Sequence, residues 1–216
     1  MATFNRIGSP GVEELKNKEN FHRILELDFD DMIPFVLSNI RKPGLFSRFY
    51  MLINLICLIG LIGYIVWGFL QGGLHWATLV KQFITGVFAG SILIIPVHEL
   101  FHGLAYRMLG AKKIKFGADL QQLIFFVTAD RFPVGTKGLH FLALLPFGAI
   151  NILTLLLVVL WLPHLILFFG FFLLAHNLMC IGDFAIVNYA KNERGEIYSF
   201  DEPELKKSYF YRKGKS

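Results

Sequence analysis

The sequence predicts an all-α polytopic membrane protein with about four transmembrane helices and a short cytoplasmic β-hairpin between the second and the third. Hydrophobic residues make up 55% of the 216 residues, and charged residues make up 17%. Soluble domains usually carry about 25% charged residues. The mean hydropathy is +0.54. Four segments are long and apolar enough to cross a bilayer, because a span needs about 20 apolar residues.

The chain divides into three parts. Residues 1–48 are polar and form a cytoplasmic N-terminal segment, residues 49–190 form the membrane-embedded domain, and residues 191–216 form a basic cytoplasmic tail in solvent. Within the first part, Phe21 to Leu37 alternates apolar and acidic residues, which indicates a short amphipathic helix or an extended segment near the membrane. We expect no cleavable signal peptide, because the first forty residues are polar and of mixed charge.

Four apolar segments are the predicted spans. They run over about residues 49–70, 83–109, 139–162 and 165–189. Pro163 and His164 separate the last two, so these form a tight helical hairpin. Residues 110–138 are too polar to cross a membrane, and their strand-forming residues predict a β-hairpin folded back against the membrane domain.

Basic residues at the ends of the spans orient the chain. The basic residues that flank the spans are Arg41, Lys42, Arg48, Arg107, Lys112, Lys113, Lys115, Arg131, Lys137, Lys191 and Arg194, whereas the loop after the first span holds only Lys81. The positive-inside rule therefore places both termini and residues 110–138 in the cytoplasm. The net charge of +5 reflects this topology and does not indicate nucleic-acid binding. Cys57 and Cys180 lie in apolar segments and do not resemble a disulfide framework.

The second span contains the pattern H-E-x-x-H in the residues His98-Glu99-Leu100-Phe101-His102. Residues i and i+4 share one face of a helix, so His98 and His102 can bind one metal ion. Glu99 is next to them and can reach a water at that ion. Ionisable groups at membrane depth are costly and mark functional sites. The alternative is a hydrogen-bonded Glu–His cluster that braces the helices.

A catalytic zinc site has three protein ligands and one open position, so a third ligand must come from elsewhere in the chain. The candidates are Asp119, Asp130, His140, His164, His176 and Asp183. Asp183 is preferred because the fourth span holds no other acidic residue and its depth matches that of the H-E-x-x-H pair. His176 lies seven residues earlier, about 10 Å along a continuous helix. Both can bind one ion only if the helix breaks, and His176 remains the alternative ligand.

Three segments of the chain resemble one protein family. Residues 98–103 resemble the active-site helix of the site-2 protease family of intramembrane zinc metalloproteases. Residues 146–151 resemble its G-P-x-x-N stretch and residues 177–183 its N-x-x-P…D-G segment, although the proline is displaced and Gly-Asp-Phe replaces Asp-Gly. The order of spans and the hairpin also match, but we expect no PDZ or CBS-type domain. More closely, the chain resembles small bacterial membrane proteins described as putative zincin peptidases.

The resemblance implies a zinc-dependent intramembrane endopeptidase of the bacterial cytoplasmic membrane. Its partners would be the lipid bilayer and a membrane-protein substrate. It implies a Zn²⁺ cofactor held by His98, His102 and Asp183, with Glu99 as the general base of amide hydrolysis. The competing hypothesis is a non-proteolytic membrane protein that retains a structural or binding metal site. A small transporter is disfavoured because the sequence shows no internal repeat.

The resemblance also indicates residues on the substrate side of the site. Asn151 would donate a hydrogen bond to the oxyanion or to the substrate backbone. His176 and Asn177 would either contact the substrate or hold a metal ligand in place. The strand-like residues 122–128 would pair with an unwound substrate by strand addition.

Overall fold

The computed structural model describes residues 10–119 and 124–214, apart from the side chains of Asp119 and Ile124. This part of the chain is mostly helical, with antiparallel β-structure at the ends of the helices. The helices are α1 (Val12–Leu15), α2 (Met32–Arg41), α3 (Leu45–Leu70), α4 (Trp76–Phe88), α5 (Ile95–Met108), α6 (Thr136–Leu160), α7 (Ile166–Met179) and α8 (Ile181–Asn192). The strands are β1 (Phe21–Asp28), β2 (Ile114–Asp119), β3 (Ile124–Ala129), β4 (Val134–Gly135), β5 (Ile197–Glu202) and β6 (Lys207–Lys213).

Three helical stretches are long and apolar enough to cross a membrane. They are α3, the stretch Trp76–Met108 and α6. Pro163–Met179 and Ile181–Asn192 pass the same test only as a pair, because the chain bends by 44° between them. The described residues therefore contain three candidate spans, or four if the bent pair is one span. The fourth predicted span, residues 165–189, is thus two helices that meet at Cys180.

The stretch Trp76–Met108 begins earlier than predicted and packs closely on α7. A π-helical turn, Ala89–Leu93, separates α4 from α5, and such turns often lie near functional sites. A Cβ atom on Gly90 would lie 2.2 Å from the carbonyl oxygen of Phe172, and one on Gly86 would lie 2.5 Å from that of Phe168. Only glycine allows this approach, which is the usual role of a G-x-x-x-G pair between apolar helices.

The fold is mostly helical, as predicted, but it contains more antiparallel β-structure than the one predicted hairpin. β2 and β3 pair within residues 110–138, where the hairpin is predicted, and the turn between them lies outside the described residues. β1, β6, β5 and β4 form a second sheet in that order, so strands from both ends of the chain lie side by side. The prediction of a tail in solvent over residues 191–216 is wrong, because the strands β5 and β6 occupy half of that range. The segment from Phe21 to Leu37, for which the sequence left helix and extended structure open, forms the strand β1 and then the start of the helix α2.

The four-stranded sheet buries both of its faces because alternate side chains point to opposite sides. Leu27, Ile197 and Phe210 pack into the core formed with the membrane helices. The side chains that pack with α1 on the other face are Phe21, Tyr198, Phe200, Tyr209 and Tyr211. The sheet is therefore attached to the helices rather than free in solvent.

Asn188 joins α8 to the N-terminal segment. It is fully buried, and its Nδ2 donates to the carbonyl oxygens of Asn39 at 2.9 Å and Lys42 at 3.0 Å. Its Oδ1 accepts from the backbone N–H of Ser47 at 3.4 Å. These bonds satisfy backbone groups at the end of α2 and the start of α3, which lack helical partners. They fix α2 beside α8.

Candidate metal centre

Three side chains predicted as metal ligands converge between α5 and α8. The Nε2 atoms of His98 and His102, one helical turn apart on α5, are 3.1 Å from each other. The Asp183 carboxylate faces both, with Oδ2 3.3 Å from His98 Nε2 and Oδ1 3.3 Å from His102 Nε2. Asp183 lies in the first turn of α8, directly after the bend at Cys180. The bend sets the direction in which α8 presents this carboxylate.

A backbone carbonyl orients the ring of His102. Its Nδ1 lies 3.0 Å from the carbonyl oxygen of Leu142 on α6. A carbonyl can only accept, so Nδ1 carries the proton and the Nε2 lone pair faces Asp183. Pro146 explains why this carbonyl is available. Proline has no N–H, so the helical bond from residue 146 to the carbonyl of residue 142 cannot form inside α6.

His176 contacts His98 on the side of the ring away from the carboxylate. His98 Nδ1 lies 3.2 Å from His176 Nε2. When His98 donates this bond, its Nε2 lone pair points at the same place as that of His102. His176 is fully buried, and Cys180 Sγ lies 3.7 Å from its Nε2. The helix does break at Cys180, between His176 and Asp183, as both would need to reach one metal ion. His176, however, contacts Nδ1 of His98, whereas Asp183 faces its Nε2.

The geometry and the donor set fit zinc. Two bonds of about 2.0–2.1 Å at a tetrahedral angle place their ligand atoms about 3.3 Å apart. The three separations here are 3.1, 3.3 and 3.3 Å. The lone pairs of two imidazoles and a carboxylate repel one another at these distances unless a cation or protons lie between them. Two nitrogens and a carboxylate also leave a fourth position for water or substrate, as catalytic zinc sites do.

Glu99 lies beside this group with one oxygen unpaired. Its Oε2 is buried and has no hydrogen-bond partner among the described residues. Ligand atoms of His98, Glu99 and His102 all lie within 4.8 Å of one another. Together with Asp183, these residues line a cavity of about 490 Å³. Glu99 therefore places a carboxylate oxygen near the two histidines and keeps its buried Oε2 without a hydrogen-bond partner among the described residues.

A strand and an amphipathic helix form two walls of the same cavity. β3 pairs with β2 along one edge, and no strand of the described part of the chain pairs with its other edge, although Asp130, directly after β3, bridges to Asp201 of β5. The four successive residues 125–128 of β3 line the cavity, so the edge of the strand borders it. α2 supplies Ile33 and Val36 opposite. The rings of Phe29 and Phe126 meet edge to face, 5.2 Å apart, where the two walls come together.

The structure pairs the two predicted substrate-side asparagines with each other. Asn151 Nδ2 donates to Asn177 Oδ1 at 2.7 Å, across α6 and α7, and to the carbonyl oxygen of Phe147 at 2.8 Å. Among the described residues, neither asparagine lines the cavity, and neither does His176.

The remaining candidates for the third ligand do not join the ligand group within the described residues. His140 packs against the ring of Phe46, with centroids 5.0 Å apart. Asp130 forms a backbone bridge with Asp201. His164 lies in the turn that precedes α7. The side chain of Asp119 lies outside the described part of the chain.

Sequence reasoning missed several groups around the site. The Leu142 carbonyl carries no sequence signal by itself, although Pro146 four residues later is the feature that frees it. Tyr106 could have been found, because it continues the spacing of His98 and His102 by four residues. It lines the cavity and bonds to Asp201, which comes from the supposed tail.

The comparisons with known proteins agree with a zinc peptidase. The family model described as "Putative zincin peptidase" matches residues 91–198, half of the chain. The match contains the H-E-x-x-H motif, the hairpin and Asp183. No curated protein and no solved structure gives a significant match. This family implies zinc as the cofactor and peptide hydrolysis as the chemistry. The chain belongs to the family described as putative zincin peptidases.

Proposed function

We propose that the chain is a zinc-dependent endopeptidase, similar to the site-2 proteases, that cleaves a peptide bond in or near a transmembrane segment of another protein. One observation carries this proposal. His98, His102 and Asp183 converge at zinc-ligand distances, and Glu99 lies beside them with an unpaired oxygen in the same cavity. All of this lies within helices apolar enough for a membrane.

The side chains divide the reaction between them. Zinc bound by His98, His102 and Asp183 would act as a Lewis acid and lower the pKa of a bound water. Glu99 accepts a proton from the water that attacks the peptide carbonyl, and it delivers that proton to the leaving amine nitrogen. The Leu142 carbonyl holds His102 in the tautomer that leaves Nε2 free.

The substrate must be unwound to reach these groups, because the carbonyls and N–H groups of a helix are already paired. The unpaired edge of β3 borders the cavity and offers backbone groups to an extended chain. Strand addition supplies affinity without demanding a particular sequence. Residues 124–128 carry this proposal, while 122 and 123 of the predicted segment lie outside the described residues.

The orientation follows from charge. The positive-inside rule favours both termini in the cytoplasm, and the resemblance to small bacterial membrane proteins favours a multi-pass protein of the bacterial cytoplasmic membrane. The ligand group would then lie in the cytoplasmic part of the membrane, and the four-stranded sheet would lie in the cytoplasm. Water and protons would enter from that side.

The test compares metal content with cleavage in purified protein. Glu99→Gln should keep about one zinc and lose cleavage of labelled transmembrane peptides in proteoliposomes, scored by mass spectrometry. His98→Ala should lose both zinc and cleavage. Undiminished cleavage by Glu99→Gln would contradict the assigned base. Full zinc in Asp183→Ala would contradict Asp183 as the third ligand. Zinc without cleavage in wild type, with instability in His98→Ala, would favour a non-proteolytic metal protein.

A further inference from the structure

A carboxylate and several hydroxyl groups line the part of the cavity formed by the four-stranded sheet. Asp201 Oδ1 accepts from Ser208 Oγ at 2.6 Å, and Oδ2 accepts from Tyr106 Oη at 3.3 Å. Ser199 lies on the same face of β5, two residues from Asp201. Thr128 lines the cavity from β3, and its buried hydroxyl has no partner among the described residues. We call these five residues the sheet pocket.

The charge of Asp201 is not balanced by the protein. No Lys, Arg or His of the described residues forms an ion pair with it. Burial raises the pKa of its carboxyl, although the hydrogen bonds from Ser208 and Tyr106 lower it in part. A carboxylate in such a place is costly unless a cation accompanies it. The two hydroxyl donors leave further lone pairs on its oxygens.

We propose that the sheet pocket binds a lysine or arginine side chain of the substrate. This inference rests on the proposed function, because it assigns a subsite to the same cavity. The cytoplasmic ends of transmembrane segments are rich in Lys and Arg. In the proposed orientation, the sheet lies on the cytoplasmic side of the metal ligands. A substrate that enters the cavity would therefore bring a basic flank to the one carboxylate of the sheet pocket.

The helix geometry gives the spacing between the cleaved bond and the bound cation. Tyr106 lies four residues after His102 and eight after His98 on α5. These separations correspond to about 6 and 12 Å along the helix. An extended substrate advances about 3.3 Å per residue. The basic residue should thus lie about two to four positions from the scissile bond, on its cytoplasmic side.

The experiment measures binding without cleavage. The full-length Glu99→Gln protein in detergent micelles is titrated with fluorescent alanine–leucine transmembrane peptides that carry one lysine at successive positions of a flank, or glutamine at the same positions. Peptides with lysine at the matching position should bind about tenfold tighter than their glutamine partners, as a close charge pair allows. Asp201→Asn in the same background should abolish this preference. Asp130→Asn should keep it, because Asp130 is a neighbouring carboxylate that does not line the cavity.

Each outcome separates the subsite from the peptidase activity. A lysine preference that depends on Asp201 supports the subsite even if wild-type protein cleaves none of the peptides, in which case only the proposed function fails. Equal cleavage and equal binding of lysine and glutamine peptides would overturn the subsite and leave the peptidase intact. A preference that survives Asp201→Asn, or the absence of any binding, would also overturn it.

Discussion

Replacing Pro146 by alanine should weaken zinc binding without weakening the fold. In the wild-type chain, the missing N–H of Pro146 leaves the Leu142 carbonyl free to accept from His102 Nδ1 at 3.0 Å. Alanine supplies an N–H that can form the regular helical bond to that carbonyl. His102 would then share its acceptor, and its Nε2 would be held less firmly toward the metal position.

Pro146→Ala should stabilise the metal-free fold and weaken zinc binding, so its two effects have opposite signs. A proline inside a helix costs about 3 kcal/mol relative to alanine. Pro146 is fully buried, and the loss of two ring carbons removes about 1.6 kcal/mol of burial. The free energy of unfolding of the metal-free protein should therefore increase by about 1 kcal/mol. Losing the partner of a ligating histidine weakens metal binding about 10- to 100-fold. A carbonyl has two lone pairs, so we expect the lower value, about tenfold or 1.4 kcal/mol.

The assay measures zinc affinity and metal-free stability on the same preparations. Competition with a chromophoric chelator gives the affinity, and thermal unfolding in detergent gives the stability. Pro163→Ala is the matched control, because Pro163 opens a turn at a position where no helical N–H bond is needed. A zinc affinity equal to that of wild type would refute the role of the freed carbonyl. A large loss of metal-free stability would refute the energy balance.

Three further substitutions test the packing around the site. Asn188→Ala should lower the free energy of unfolding by about 2–4 kcal/mol, because it leaves buried backbone groups without hydrogen-bond partners. Asn192→Ala should change this free energy little, because the single hydrogen bond of Asn192 is exposed and 3.5 Å long. Equal losses in the two variants would contradict this prediction. Gly90→Ala should lower the unfolding midpoint, because the new Cβ would lie 2.2 Å from a carbonyl oxygen of α7. Gly60→Ala is the control, because a Cβ at Gly60 has no other atom within 4 Å. An unchanged midpoint in Gly90→Ala would show that α7 and the stretch Trp76–Met108 are not in close contact. The raised pKa of Asp201 means that its contribution to stability is present at low pH and is lost as pH rises through the folded-state pKa. The stability of Asp201→Asn relative to wild type should therefore increase with pH in unfolding measurements, and a constant difference would count against the raised pKa.

The convergence of His98, His102 and Asp183 could be predicted, because it depends on helical spacing and on the depth of the residues in the membrane. His98 and His102 share a face through helical spacing alone. Asp183 stands out as the single acid of an apolar segment, and the structure places its carboxylate 3.3 Å from both histidines. The role of His176 could not be decided from spacing. His176 contacts His98 Nδ1, and the 44° bend at Cys180 sets how Asp183 lies relative to it, a bend for which Gly182 is only a weak sequence signal.

The four-stranded sheet could not be predicted because its pairing is not local. Phe21 of β1 pairs with Lys213 of β6, close to the other end of the chain. The aromatic run of residues 209–211 is short and lies between basic residues, so the composition of this segment resembles a basic tail. The strand becomes recognisable only when β1 and β5 cover its edges and α1 covers its outer face.

The metal ligands and the substrate-facing walls come from different parts of the chain. The family match over residues 91–198 contains all of the proposed ligands, Glu99 and β3. Cavity walls from α2 and Asp201 lie outside that match. α8 connects the two, because it carries Asp183 at its start and, five residues later, Asn188, which is bonded to the end of α2. A substrate that displaces α2 would therefore also exert a force on α8, the helix that carries Asp183, the proposed third ligand. In the proposed function, α8 would therefore link substrate fit to metal geometry.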